Sequence, residues 1–225
     1  KLTKMTIVKY QFNKEKDMQN IWKTINSDKS YGKDFSSAID ENIRLQLYGK
    51  SPEESKIILE KLNAKLYDSI ILKNLIELLN KSWESIEKEY IKRLESVTKR
   101  KIWYNSIKGY ITTISKCPYD PLEPSFMVSC FGNLFDNLRT TGHEIFHLQF
   151  HKYFFDEVES KVGKNKTHDI KEALTILLNL EFLDLWHVKD KGYEIHKDLR
   201  RFIEAEWIKE KDFDKLIKKS INFVK

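Results

Sequence analysis

Breaks are rare in this chain. Only 7 glycines and 4 prolines interrupt 225 residues, and these are the residues that most readily end helices and form tight turns. Long helices are therefore easier to build here than a sandwich of short strands. Ser51-Pro52-Glu53-Glu54 is a helix start: a serine N-cap, proline at the first helical position and Glu54 at the capping-box position. Apolar residues follow at steps of three and four, at Ile57, Ile58, Leu62 and Leu66, then at Ile70, Leu75, Leu79, Trp83, Ile86, Tyr90 and Leu94. That spacing predicts two or three helices between residues 52 and 99, with Asn63 and residues 80–82 as breaks. Residues 5–12 (MTIVKYQF) alternate and predict a strand. So do residues 111–115 and residues 125–131 (SFMVSCF), the latter closed by Gly132 and preceded by a loop containing Pro118, Pro121 and Pro124. Beyond Gly132 the pattern is helical almost to the end, interrupted at 163–166 and 189–193. The expected fold class is α+β, mostly α: a small antiparallel sheet packed on a buried helix. Residues 1–100 are expected to form a helical part with one strand, and residues 101–225 the core.

The charge pattern narrows the partners. The 40 basic and 34 acidic side chains leave a net charge of +6. Lysine and glutamate alternate along helix faces, as in residues 84–99, which describes solvated surfaces rather than a nucleic-acid groove. Trp22, Trp186 and Trp207 are dispersed and predict packing rather than a base-stacking platform. No nucleic-acid partner is expected. The most apolar run, residues 69–79, is broken by Lys73 and Glu77, so no membrane span is expected. Cys117 and Cys130 have no metal-type spacing, and a reduced, cytoplasmic setting suits them.

All six histidines lie between positions 143 and 196, and three occur in Thr140-Thr141-Gly142-His143-Glu144-Ile145-Phe146-His147-Leu148-Gln149-Phe150-His151. On a helix, His143 and His147 stand one turn apart on the same face. Their imidazoles can then converge on one tetrahedral zinc, while Glu144 reaches a water beside it. Leu138, Ile145, Phe146, Leu148, Phe150, Tyr153, Phe154, Phe155 and Val158 surround the motif on nearly every side, which predicts a buried helix. Buried His and Glu side chains are costly unless paired or coordinated. Gly142 leaves room for close packing, or for a metal and substrate.

A third ligand must come from elsewhere. His151 lies about 12 Å along a continuing helix from His143 and cannot meet the same ion. A return through residues 163–166 would bring Glu172 beside the histidines. The competing assignment for Glu172 is a capping box with Asp169. Glu181 is the reserve ligand, with His168 behind it.

These residues resemble the gluzincin branch of the zinc metallopeptidases, the thermolysin-like group in which H-E-x-x-H and a glutamate on a following helix hold zinc. The likeness spans about residues 125–184. It implies one zinc ion per chain held by His143, His147 and Glu172 in a zincin-like core, with Glu144 as general base and a peptide or protein as substrate. It also implies that residues 125–131 form the edge strand along which a peptide aligns. An aspartate four residues after the ligand glutamate is usual in that group, but Ile176 stands there, so Asp169 or Asp184 must orient a histidine. The aminopeptidase signature G-x-M-E-N is absent, which points toward an endopeptidase. Tyr193 and His196, with His187 as a further choice, are the candidate donors to the transition-state oxyanion. The alternative is a zinc-binding protein without catalysis, or a helical interaction module.

Overall fold

The computed structural model describes residues 7–26 and 34–225. Four strands, β1 (Val8–Phe12), β2 (Ile107–Thr112), β3 (Tyr119–Asp120) and β4 (Ser125–Ser129), form one sheet in the order β1-β2-β4-β3. Among the described residues, five helices lie in the long connection from β1 to β2: α1 (Lys14–Asn26), α2 (Glu41–Leu47), α3 (Pro52–Leu62), α4 (Ala64–Tyr67) and α5 (Ile70–Thr98). Seven follow the sheet: α6 (Leu134–Tyr153), α7 (Phe155–Val162), α8 (Lys164–Ala173), α9 (Ile176–Glu181), α10 (Leu183–Trp186), α11 (Lys197–Lys209) and α12 (Phe213–Val224). The fold is α+β and mostly α, as expected.

The sheet departs from the expectation in one respect: it is mixed, not antiparallel. β1 and β4 both run parallel to β2, and only β3 runs against its neighbour β4. Parallel pairing requires a long crossover, and the helices α1–α5 supply it between β1 and β2. The strand expected at residues 111–115 begins earlier, at Ile107, and ends at Thr112. Of the strand expected at 5–12, Met5 and Thr6 lie outside the described residues.

No glycine or proline occurs between Pro52 and Gly109. The predicted start at Ser51 is a capping box, with Glu54 N donating to Ser51 Oγ and Ser51 N donating to the Glu54 carboxylate. Asn63 does end α3. Residues 80–82 break nothing, because α5 runs unbroken for 29 residues. Asn80 serves the neighbouring strand instead: Tyr10 N donates to its Oδ1 at 3.0 Å and its Nδ2 donates to Tyr10 O at 3.3 Å. Two turns on, Glu87 accepts Ile7 N and Val8 N at 3.0 and 2.9 Å. A sheet edge with unpaired backbone groups invites unwanted pairing, and α5 covers this one.

The boundary expected at residue 100 runs through shared structure. β1 pairs with β2 across it, and one core joins Tyr10, Trp83 and Tyr90 to Phe126, Phe146 and Trp186. Tyr10 Oη and Thr141 Oγ1 share a hydrogen bond of 2.6 Å, fastening β1 to α6. A smaller core of Met18, Ile21, Leu47, Leu59 and Ile114 lies beneath α1. There Asp17 accepts hydrogen bonds from Thr112, Thr113 and Tyr67. No helix among the described residues is long and apolar enough to cross a membrane.

Candidate metal centre

α6 carries the H-E-x-x-H residues through the middle of the molecule. Asn133 caps it, accepting Asp136 N at 2.9 Å, and its buried residues fall on nearly every side, as the sequence predicts. Gly142 serves close packing. A Cβ there would stand 2.6 Å from the Trp186 ring, and Tyr90 Oη donates to Gly142 O at 2.6 Å.

His143 and His147 face each other one turn apart, with ring centroids 4.3 Å apart. One ligand atom from each of His143, Glu144 and His147 lies within 4.8 Å of the others. Glu172 comes from the last turn of α8 and spans both rings. Its Oε1 is 3.2 Å from His147 Nε2, and its Oε2 is 3.6 Å from His143 Nε2. The capping-box assignment fails because Asp169 lies inside α8, which starts at Lys164. His147 is the telling residue. It is buried, and neither ring nitrogen makes a hydrogen bond, the approach to Glu172 being poorly aligned for one. Buried polar atoms without partners are few in folded proteins. A divalent cation between the imidazoles and the carboxylate would satisfy this one, so the residues fit zinc.

The aspartate that orients a histidine is neither of the two expected. Asp184 pairs with Arg93 at 2.6 Å and Asp169 with His196 at 2.9 Å. Asp190 takes the role, with its Oδ2 2.7 Å from His143 Nδ1. That contact leaves Nε2 turned toward Glu172, the arrangement a metal-binding histidine needs. Asp190 is held in turn by Arg139, Arg200 and Thr175. Its loop is tied by Asn179, which bonds both the N–H and the C=O of Asp190 at 2.7 and 2.8 Å. Gly192, with φ of 62°, is needed in that loop: a Cβ would also collide with Arg200 at 2.6 Å. Nothing in residue spacing marks Asp190, which lies in the surface-like run Val188-Lys189-Asp190-Lys191.

Burial sets the electrostatics. It pushes the Glu144 carboxyl up to about 7, with Glu172 and Asp190 adding to the rise and His143 and Lys171 opposing it. It pulls His147 down to about 3, helped by Lys171, so this ring is neutral. Burial also pulls on His143, but Asp190, Glu172 and Glu144 outweigh it and raise this ring to about 10 without a metal. Glu172 stays ionised against its burial because the Lys171 ammonium and the His143 ring favour the charged form.

No protein-family model, curated protein or solved structure matches this chain. The site therefore has to be judged on its own geometry. A cavity of 340 Å³ opens onto it, lined by His143, Glu144, His147 and Glu172, and also by Tyr193, His168, Tyr119 and Lys171. Tyr193, a candidate oxyanion donor, lines this cavity. His196 does not: it is buried against Asp169 and absent from the cavity wall. His187 ends α10 beside Phe135, and His151 stacks on Phe155. Glu181, the reserve ligand, bonds Trp207 and Lys211. The cavity is edged by β3 rather than β4. The segment 125–129 is interior to the sheet, so the expected edge strand is displaced to Tyr119–Asp120. Sequence reasoning also missed Lys171. Its buried ammonium donates to Glu172 Oε1 at 2.7 Å and lies 4.6 Å from the centre of the Tyr119 ring.

Proposed function

We propose that this chain is a zinc-dependent peptidase, acting as an endopeptidase, with His143, His147 and Glu172 as metal ligands and Glu144 as general base. The observation that carries the reading is His147: a buried, neutral imidazole with no hydrogen bond, set between His143 and an ionised glutamate. Zinc, when bound, supplies Lewis acidity to the scissile carbonyl and to a water. The chain's own groups do the rest. Glu144, with a carboxyl that titrates about 7, can accept a proton from water and pass it to the leaving amine. Asp190 holds the His143 ring, and Arg139 and Arg200 hold Asp190. Tyr193 keeps its phenol protonated, since burial and the nearby Glu172 and Glu144 raise it. It is the candidate donor to the oxyanion, a contact that contributes about 3–4 kcal/mol in other enzymes. β3, at the end of the sheet and beside the cavity, is the strand along which an extended peptide would align.

Elemental analysis and a turnover assay test this together. The expected result is one zinc per chain, lost in His147→Ala. Glu144→Gln is expected to keep zinc but cleave an unfolded protein at least about a hundredfold more slowly. Cleavage that survives Glu144→Gln sinks the mechanism, and wild-type protein without metal sinks the site.

One observation favours a second reading, a protein without catalysis. Lys171 already supplies Glu172 with a cation at 2.7 Å, so the carboxylate is neutralised without any ion. Under that reading Lys171→Met destabilises the fold and zinc never binds.

A further inference from the structure

The cleft is richer in cations than its chemistry requires. The cavity over the histidines is lined by Lys116, Arg139 and Lys171, and the carboxylates it contains, Glu144 and Glu172, are those committed to the histidines. A second cavity, of 420 Å³, shares Arg139, His143 and Tyr193 with the first and adds Lys189 and Lys191. Its two carboxylates, Asp190 and Asp136, are taken up by His143, Asn133 and Arg139, which leaves Lys189 and Lys191 without a counter-charge there.

Three of these cations have unused capacity. Lys116 is half-buried beneath the Phe35 ring, 6.0 Å from its centre. The charged neighbour acting on it is another cation, Lys23, and it makes no ion pair among the described residues. Lys189 and Lys191 are exposed and equally unpaired among the described residues. Arg139, by contrast, is engaged on both sides, by Asp190 at 3.2 Å and by Asp136, whose Oδ1 lies 3.6 Å from its Nε. A partly buried cation without a counter-charge is costly unless a ligand provides one.

We infer that the cleft selects acidic peptides: chains whose Asp or Glu side chains flank the bond placed over His143 and Glu144, with carboxylates met by Lys116 on one side and by Lys189 and Lys191 on the other. This rests on the peptidase reading for the bond that is cut. A peptide is favoured over a nucleic acid because the cleft is bordered by the edge strand β3, along which an extended polypeptide can align.

Binding separates the inference from the catalytic reading. The probe is a fluorescein-labelled peptide with Asp and Glu at several positions, compared with its Asn/Gln isostere. Each is titrated into zinc-supplemented Glu144→Gln protein, with zinc content measured on the same sample. The acidic peptide is expected to bind at least tenfold more tightly than the isostere, with the gap shrinking as salt rises. Lys116→Glu and the pair Lys189→Glu with Lys191→Glu should each narrow the gap, and the three together should abolish it. Acidic preference in a sample without zinc supports the inference while sinking the metal centre. Equal binding of the two peptides overturns the inference even if zinc is present and wild-type protein cleaves. A gap that survives all three substitutions overturns it, as does displacement of the acidic peptide by an oligonucleotide of equal net charge at lower concentration.

Discussion

Glu144 is the residue at which stability and proposed function pull apart. Burial raises its carboxyl from an ordinary 4.5 to about 7 in the metal-free protein. Below pH 4.5 the group is protonated in both the folded and unfolded chain and costs nothing. Between 4.5 and 7 the unfolded chain releases its proton while the folded one retains it, so folding loses stability as pH rises through that window. At 1.36 kcal/mol per pKa unit, the loss above pH 7 is about 3 kcal/mol. Chelator-treated Glu144→Gln should therefore match wild type near pH 4.5 and exceed it by up to that amount at pH 8. Urea denaturation at the two pH values measures it, and a difference that does not grow with pH would falsify the assignment. Such a residue is tolerated where chemistry benefits from it, since active sites commonly give up stability for function.

At the scale of elements, the helix that carries the candidate site is placed by its contacts more than by its own propensity. α6 is fastened to β1 through Thr141 and Tyr10, and to α5 through Tyr90 and the Gly142 carbonyl. Trp186 of α10 lies where a side chain at 142 would go. Glycine inside a helix costs about 1 kcal/mol relative to alanine, so exchange of Gly142 for alanine would stabilise an isolated helix. Here overpacking against the fully buried Trp186 ring is the larger effect, about 1–3 kcal/mol. Gly142→Ala is thus expected to lower stability by about 1–2 kcal/mol and to weaken zinc binding by shifting His143. Thermal unfolding with and without zinc checks both effects. A variant more stable than wild type would show that Trp186 can move aside.

Across the whole molecule, the first hundred residues complete the core rather than decorate it. β1 supplies the strand beside β2, α5 buries Trp83, Tyr90 and Leu94, and Asp17 bonds the end of β2 from α1. A fragment of residues 101–225 would expose this apolar surface, at about 25 cal/mol for each Å². It would also leave one side of β2 unpaired. The fragment is expected to lack a cooperative thermal transition and near-ultraviolet circular dichroism, and the full chain to show both. A sharply melting fragment would restore the division at residue 100.

Local chemistry, which needs no tertiary partner, is legible in the order of the amino acids alone. The capping box at Ser51, the break at Asn63 and the buried helix around His143 all follow from spacings of three and four residues. So does the placing of His143 and His147 on one face. Glu172 was legible only through the turn that folds α8 back. The direction of the sheet, the edge position of β3 and the roles of Asp190, Lys171 and Asn80 were decided by the tertiary structure. Each depends on residues distant in sequence meeting in space: Asp190 reaches a histidine 47 positions away, and Asn80 a strand 70 positions away. Periodicity records which face of an element is buried. It carries no record of which element covers that face, and that is where the histidine partner and the cations of the cleft were settled.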